Sequence, residues 1–177
     1  MTEIPPGTRA IPLNTKRGSR YGDDMFAIVD EADYDHIAHI RWSVSKEGHN
    51  FYAVHTFRAD SGKHGKWKLH RLIIPDAEVI DHINGNGLDN RRVNLRACTH
   101  AENSRNRRRQ HNNRSGYTGV YFHKGNNGWI AQIKVNNQMV YLGTFATAEE
   151  ASAARDLAAR RYHGRFARLN NGGRHYG

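Results

Sequence analysis

Apolar and polar positions along the chain alternate in short runs, and the runs predict many short strands and a few helices rather than long ones. Residues 1–24 are polar and broken by Pro and Gly. They read as a loose arm, with Ile11-Pro12-Leu13 able to join a sheet. Met25-Phe26-Ala27-Ile28-Val29 is a short apolar strand, and Asp30 is placed to cap a short helix in which Tyr34, Ile37, Ala38 and Ile40 fall at helical spacing. Arg41-Trp42-Ser43-Val44 and residues 51–57 alternate like strands about a turn at Gly48, and residues 61–65 make a second turn. Residues 67–74 continue the sheet or begin a short helix, which Pro75 ends. Val79-Ile80-Asp81-His82 predicts a strand, 83–93 a long polar loop, and Leu95-Arg96-Ala97 a returning strand. Thr99 and Glu102 have the spacing of a capping box and start a helix that runs into Ser104-Arg105-Asn106-Arg107-Arg108-Arg109.

Beyond a polar stretch, three more strands are predicted over 119–123, 128–135 and 138–145, with Gly125-Asn126-Asn127-Gly128 and Asn136-Asn137 as hairpin turns. Thr147 and Glu150 form a second capping-box pair. They open a helix from Ala148 to about Tyr162, stopped at Gly164, with Ala151, Ala154, Ala158 and Tyr162 on one face and Asp156–Arg160 as a surface pair. The expected fold class is α+β. A small scaffold spans 1–75, a ββα centre 76–110, a basic linker 111–116, a three-stranded antiparallel sheet backed by one helix 117–171, and a tail 172–177.

Composition narrows this picture. With 177 residues, 37% hydrophobic content and a mean hydropathy of −0.84, any core must be small. The single cysteine, Cys98, allows no intrachain disulfide and no four-thiolate zinc site. A reducing compartment, and so a cytoplasmic location, is expected. No apolar run approaches the roughly 20 residues that span a bilayer, and the first residues lack the pattern of a signal peptide. The net charge of +10 is unevenly placed: 11 Lys/Arg against 11 Asp/Glu over 1–80, 3 against 3 over 81–103, and 13 against 3 over 104–177. An excess confined to one continuous segment points to a polyanion partner. An anionic membrane is the poorer candidate, because no amphipathic helix offers bulky apolar residues for insertion.

The neutral centre carries the candidate chemistry. Phosphodiester hydrolysis needs a deprotonated water, relief of charge on phosphorus and a stabilised leaving oxygen. The Asp81 carboxylate and the Asn103 amide oxygen are hard ligands suited to Mg²⁺, with Mn²⁺ as a substitute, whereas they would make a poor zinc site. His82 titrates where a general base is useful. Adjacent residues on a strand point to opposite faces, so this chemistry demands a β-bulge or twist at 81–82. Asn94 can lock the loop to the strand. Taken singly, an Asp-His pair, an Asn-Gly loop and an Asn in a first helical turn have plainer readings as surface, turn and cap. Together, at this spacing, they read as a site.

The stretches Asp81-His82-Ile83-Asn84-Gly85-Asn86, Asp89-Asn90-Arg91-Arg92-Val93-Asn94-Leu95-Arg96 and Glu102-Asn103-Ser104-Arg105-Asn106 resemble the HNH nuclease family, in its phage and intron-encoded homing branch. His70-Arg71-Leu72 resembles the segment that leads into that motif. The resemblance implies a ββα-metal fold, with His82 as general base, Asp81 and Asn103 as metal ligands and Asn94 fixing the hairpin loop. Other members carry a further His one helical turn after the third position, where this chain has Arg107. Residues 115–120, 129–133, 141–145, 147–151 and 167–170 resemble the plant ethylene-response-factor (AP-two) DNA-binding domain, which lays its sheet in the major groove. Where that family has two first-strand arginines and a third-strand Trp, this chain has Tyr121, His123 and Tyr141.

The function expected is therefore a metal-dependent endonuclease of the homing type acting on double-stranded DNA. A monomer would nick one strand, and a dimer would break both. Arg105, Arg107, Arg108, Arg109 and Arg114 would follow phosphates; Tyr121, His123, Trp129, Gln132, Lys134 and Tyr141 would face DNA. The alternative is a sequence-specific transcriptional regulator with a vestigial nuclease centre.

Overall fold

The computed structural model describes residues 4–14, 24–105 and 113–170, the Arg105 side chain excepted. The chain is α+β and divides into two compact units, Met1–Thr99 and His100–Gly177.

In the first unit, β1 (Thr8–Pro12) pairs antiparallel with β2 (Phe26–Asp30), and helix α1 (Glu31–Ile37) follows. The arm expected over 1–24 is thus a strand in part. Its alternation buries Ile11, and with Leu13 this side chain enters the core. Asp30 is the residue before α1 but makes no capping bond; its carboxylate instead accepts from the Arg92 amide at 2.7 Å. The meander β3 (Ser43–Glu47), β4 (Asn50–Arg58) and β5 (His64–Lys68) is antiparallel throughout, and α2 (Leu69–Ile73) follows directly. Residues 67–74 therefore end a strand and then turn into a helix. Trp42, fully buried, donates from its indole to the Ile37 carbonyl at 2.9 Å and packs with Val29, Leu69 and Ile73. That core reaches Ile80 and Leu95, which lie on the antiparallel hairpin β6 (Val79–His82) and β7 (Leu95–Cys98).

The second unit begins with α3 (His100–Arg105). Its sheet is β8 (Val120–His123), β9 (Gly128–Val135) and β10 (Gln138–Phe145), with β9 central. Asn136 and Asn137 both take positive φ, as a tight hairpin turn requires. Helix α4 (Ala148–His163) packs on this sheet and opens with the Thr147–Glu150 capping box. Ala148, Ala151, Ala158 and Ala159 are buried and let the helix sit close. Tyr162 is exposed, so it does not share that face. The surface pair expected between Asp156 and Arg160 is replaced by a buried arrangement. Asp156 accepts from the Asn170 amide at 2.8 and 2.9 Å and pairs with Arg155 at 3.3 Å. Asn170 in turn exchanges hydrogen bonds with the Thr118 backbone at 2.7 and 3.1 Å. The segments on either side of the sheet and helix are thereby tied together.

Candidate functional site

The hairpin loop between β6 and β7 is held by its own asparagines. Asn94 closes it at both ends of its amide: Oδ1 accepts from the Asn84 amide at 2.9 Å, and Nδ2 donates to the Asp89 carbonyl at 2.7 Å. The Ile83 amide donates to the Asn94 carbonyl at 2.9 Å. Asp89 takes a two-pronged contact from Arg91, at 2.8 Å on each oxygen, and a bond from Asn84 at 2.8 Å. Burial pushes the Asp89 carboxyl upward, but the Arg91 and Asn84 contacts outweigh it and hold the group below the usual carboxylate range. Outside the hairpin, Asn50 accepts from the Gly87 amide at 3.2 Å and donates to the Gly85 carbonyl at 3.0 Å. Gly87 lies so close to β4 that a Cβ there would fall 2.4 Å from the Phe51 carbonyl oxygen. The loop also docks on β2, with Ile28 donating to the Leu88 carbonyl at 2.8 Å and Asn90 to the Ile28 carbonyl at 2.7 Å.

This frame surrounds His82, which is 5% exposed. Its ring stands 5.0 Å from that of His70 and 5.9 Å from that of Tyr52, edge-on to both. Asn90 Oδ1 lies 3.4 Å from His82 Nε2. Burial lowers the His82 pKa below its ordinary value, and the Asn90 hydrogen bond opposes that shift. His70, 7% exposed on α2, is pushed down to about 3, first by burial and then by the His82, Lys68 and Arg71 charges. A neutral imidazole, not an imidazolium, thus faces His82. Lys68 sits over the Tyr52 ring at 4.6 Å and pairs with Glu47 at 2.6 Å.

Asp81 and His82 do not share a side. The register Asp81↔Arg96, His82↔Leu95 is unbroken, so the bulge expected at 81–82 is absent. The buried Asp81 carboxylate meets the Arg96 guanidinium across the pair, at 2.8 Å from Nε and 2.5 Å from Nη2. A cation is already on this carboxylate. The hard-oxygen chemistry suits a divalent ion, which would have to share or displace the guanidinium. Among the described residues no three His, Cys, Asp or Glu side chains gather into a metal-holding group. Asn103 lies half-buried on α3, in the second unit.

In the second unit, cross-strand partners assign the faces of the sheet. Tyr121↔Ile130, His123↔Gly128, Tyr141↔Gln132 and Met139↔Lys134 share one face, so five of the six expected sheet residues lie together. Tyr121, His123, Lys134 and Tyr141 are exposed there, Tyr141 at 61%. Trp129 is the exception. It alternates onto the helix side, packs against Val120, Ala131 and Ala151, and meets the Phe122 ring edge-on at 5.4 Å. Arg114 is exposed; Arg107, Arg108 and Arg109 lie outside the described residues, as does the Arg105 side chain.

The profile of the HNH endonuclease family matches residues 67–105, from β5 to α3. This stretch is similar to an HNH endonuclease domain. The chain is thus an enzyme of the nuclease class, acting on DNA, and HNH nucleases are in general divalent-metal dependent. Along most of its length the chain is similar to a protein of Acanthamoeba polyphaga mimivirus named as an uncharacterized HNH endonuclease. The two are 29% identical over 157 residues, 84% of this chain and 76% of the viral protein. Two Arabidopsis thaliana proteins share a shorter stretch. An AP2-like ethylene-responsive transcription factor is 47% identical over 58 residues, 32% of this chain and 17% of its own. An AP2/ERF and B3 domain-containing transcription repressor is 46% identical over 56 residues, 32% of this chain and 15% of its own. No helix among the described residues is long and apolar enough to cross a membrane.

Four residues around His82 and Asp81 had no role assigned from sequence: Tyr52, His70, Asn90 and Arg96. The signal for His70 was its place in the segment leading to the motif. The Arg96 contact depends on the strand register Asp81↔Arg96, which spacing alone does not fix. Nothing local distinguished Asn90 from the loop's other asparagines.

Proposed function

We propose that this chain is a metal-dependent DNA endonuclease of the homing type, which nicks one strand of a duplex and is brought to its target by its second unit. The observation that carries this reading is a buried, neutral-leaning His82 in a hairpin clamped by Asn94, within the stretch that matches the nuclease family. His82 takes the proton of the attacking water. By the family resemblance, Asp81 and Asn103 would hold Mg²⁺ or Mn²⁺. Such an ion, when bound, supplies charge neutralisation at the phosphate and the leaving oxygen. Asn94 keeps the loop in register with the strand that carries His82. The open sheet face of the second unit, with Tyr121, His123, Gln132, Lys134 and Tyr141, lies in the major groove, and the arginines of 105–114 track phosphates. Trp129 is left out of that face. One such centre per monomer cuts one strand; a dimer cuts both.

Purified protein with Mg²⁺ is expected to convert supercoiled target-bearing plasmid to open circle. His82→Ala should lose this conversion and keep duplex binding. Normal nicking by His82→Ala would sink the assignment. A wild-type protein that binds its duplex tightly but cuts nothing with Mg²⁺ or Mn²⁺ would favour a DNA-binding regulator instead.

A further inference from the structure

The turn Lys124–Asn126, between β8 and β9, is closed by a side chain as well as by backbone. The Asn127 amide donates to the Lys124 carbonyl at 3.1 Å, and the Asn126 amide donates to His123 Nδ1, also at 3.1 Å. A backbone N–H can only donate, so Nδ1 must accept. In a neutral imidazole one nitrogen accepts and the other carries the proton. The proton of His123 is thereby placed on Nε2. The ring is also seated against backbone: a Cβ on Gly125 would lie 3.0 Å from its Cε1, so the imidazole covers that glycine. An acceptor is all the turn requires, and the usual ones are the shorter Ser, Thr, Asp and Asn. A histidine meets the requirement with one nitrogen and keeps the other in hand. Its Nε2 has no partner among the described residues, and the side chain is exposed on the open face of the sheet. Across the strand pair stands Gly128, which has no side chain to crowd the ring.

We propose that His123 is a specificity-determining residue: it holds a fixed N–H donor, at Nε2, toward the major groove and selects guanine at one position of the target. The inference rests on the reading of the open sheet face as the DNA surface, but the tautomer itself is a property of the folded protein without DNA. Guanine shows two adjacent acceptors in the major groove, N7 and O6, and no donor. Adenine sets an amino group beside its N7, thymine sets a methyl group beside its O4, and cytosine offers only a donor. A group that donates and cannot accept therefore ranks guanine first and cytosine last. A histidine free to exchange tautomers would accept from cytosine as readily as it donates to guanine. The bond from Asn126 is what makes this side chain discriminate.

One arm of the test needs no DNA. In imidazole ¹⁵N spectra of the full chain at about pH 8.5, above the ordinary histidine range, the signal that His123→Ala removes is expected to show the Nε2–H form. Asn126→Pro, which deletes the N–H donor, should give both tautomers. The other arm selects duplexes from a randomised pool, without divalent metal so that nothing is cut. Wild type should enrich guanine at one position where His123→Ala has no preference, with the remaining positions unchanged. Cytosine in place of that guanine should weaken wild-type binding about 3- to 10-fold, the scale of one hydrogen bond, and leave His123→Ala binding as it was. Asn126→Pro should relax the same position alone. A wild-type ring protonated on Nδ1 overturns the proposal, and so does a His123→Ala protein that keeps every base preference. Wild type and His123→Ala decide even if Asn126→Pro does not fold. If Lys134→Ala weakens binding while His123→Ala selects as wild type does, this inference falls alone. If both variants bind and select as wild type does, the reading of the sheet face as the DNA surface falls with it.

Discussion

At the scale of single residues, burial sets the chemistry. His82 is held below its ordinary pKa by desolvation, with Asn90 opposing. A general base works only when unprotonated, so activity should be present above this lowered pKa and lost below it. The acid limb of kcat/KM in plasmid nicking is expected to have its midpoint below 6.5; a midpoint above 7 would count against His82 as the base. His70 makes a second pH statement, about stability. Its folded pKa is about 3 against 6.5 for the free side chain. Above pH 6.5 both states are neutral and pH has no effect through this group. Below it the unfolded chain takes up a proton that the native protein refuses, so stability falls by up to about 1.4 kcal/mol per pH unit until about pH 3. Melting temperatures of wild type and His70→Gln between pH 7 and 4.5 check this. The variant should lose less over that range, whatever its offset at pH 7. Parallel curves would remove His70 as a source of acid lability.

At the scale of elements, the sequence revealed most where a signal is local. Strands β8–β10 and their turns follow from alternation and from Asn and Gly chemistry, and the Thr147–Glu150 box marks the start of α4 to the residue. What failed depended on partners distant in the chain. Of Thr8–Pro12 only the Ile11-Pro12 end was legible as sheet and the rest looked like an arm, because the partner strand begins only at Phe26. Asp30 looked like a cap, and its carboxylate is instead taken by Arg92, 62 residues on. Asp156 looked like a surface charge because spacing alone cannot show that Asn170 folds back onto it. In the nuclease hairpin, the clamp at Asn94 was legible from its position after the loop, whereas the Arg96 contact with Asp81 needed the unbroken register. The loop's fit against β4 gives the prediction at this scale. A Cβ on Gly87 would meet the Phe51 carbonyl oxygen at 2.4 Å and the Tyr52 ring at 2.6 Å. Backbone cannot yield there, and Tyr52 packs on His82. Gly87→Ala should therefore destabilise by roughly 1–3 kcal/mol, the cost of overpacking, and lower nicking more than duplex binding. A variant with wild-type melting and wild-type nicking would show that the loop can move away freely.

At the scale of the whole molecule, charge and chemistry are divided between the units. Met1–Thr99 carries 14 Lys/Arg against 13 Asp/Glu and holds Asp81, His82 and Asn94. His100–Gly177 carries 13 against 4, an excess of nine, and holds the open sheet face. A nearly neutral first unit gains little from counterion release, so on the proposed reading affinity for duplex is drawn from the second. Binding and cutting should then separate under substitution. Lys134 is exposed on the open face, where its cross-strand partner Met139 is exposed as well. Lys134→Ala should weaken duplex binding, reduce the salt slope of log K by about 1, and raise KM with kcat little changed. Tyr141→Ala, which removes a broad exposed surface without charge, should weaken binding and leave the salt slope unaltered. Trp129→Ala should act otherwise, lowering the melting temperature, because its ring packs under the sheet with Val120 and Ala131. His82→Ala should do the reverse of Lys134→Ala, abolishing kcat with affinity and salt slope intact. Binding titrations over 50–300 mM salt, run beside nicking assays on the same four proteins, decide the matter. If Lys134→Ala and Tyr141→Ala leave affinity untouched, the open sheet face is not the DNA surface, and the charge excess must act through the arginines of 105–114.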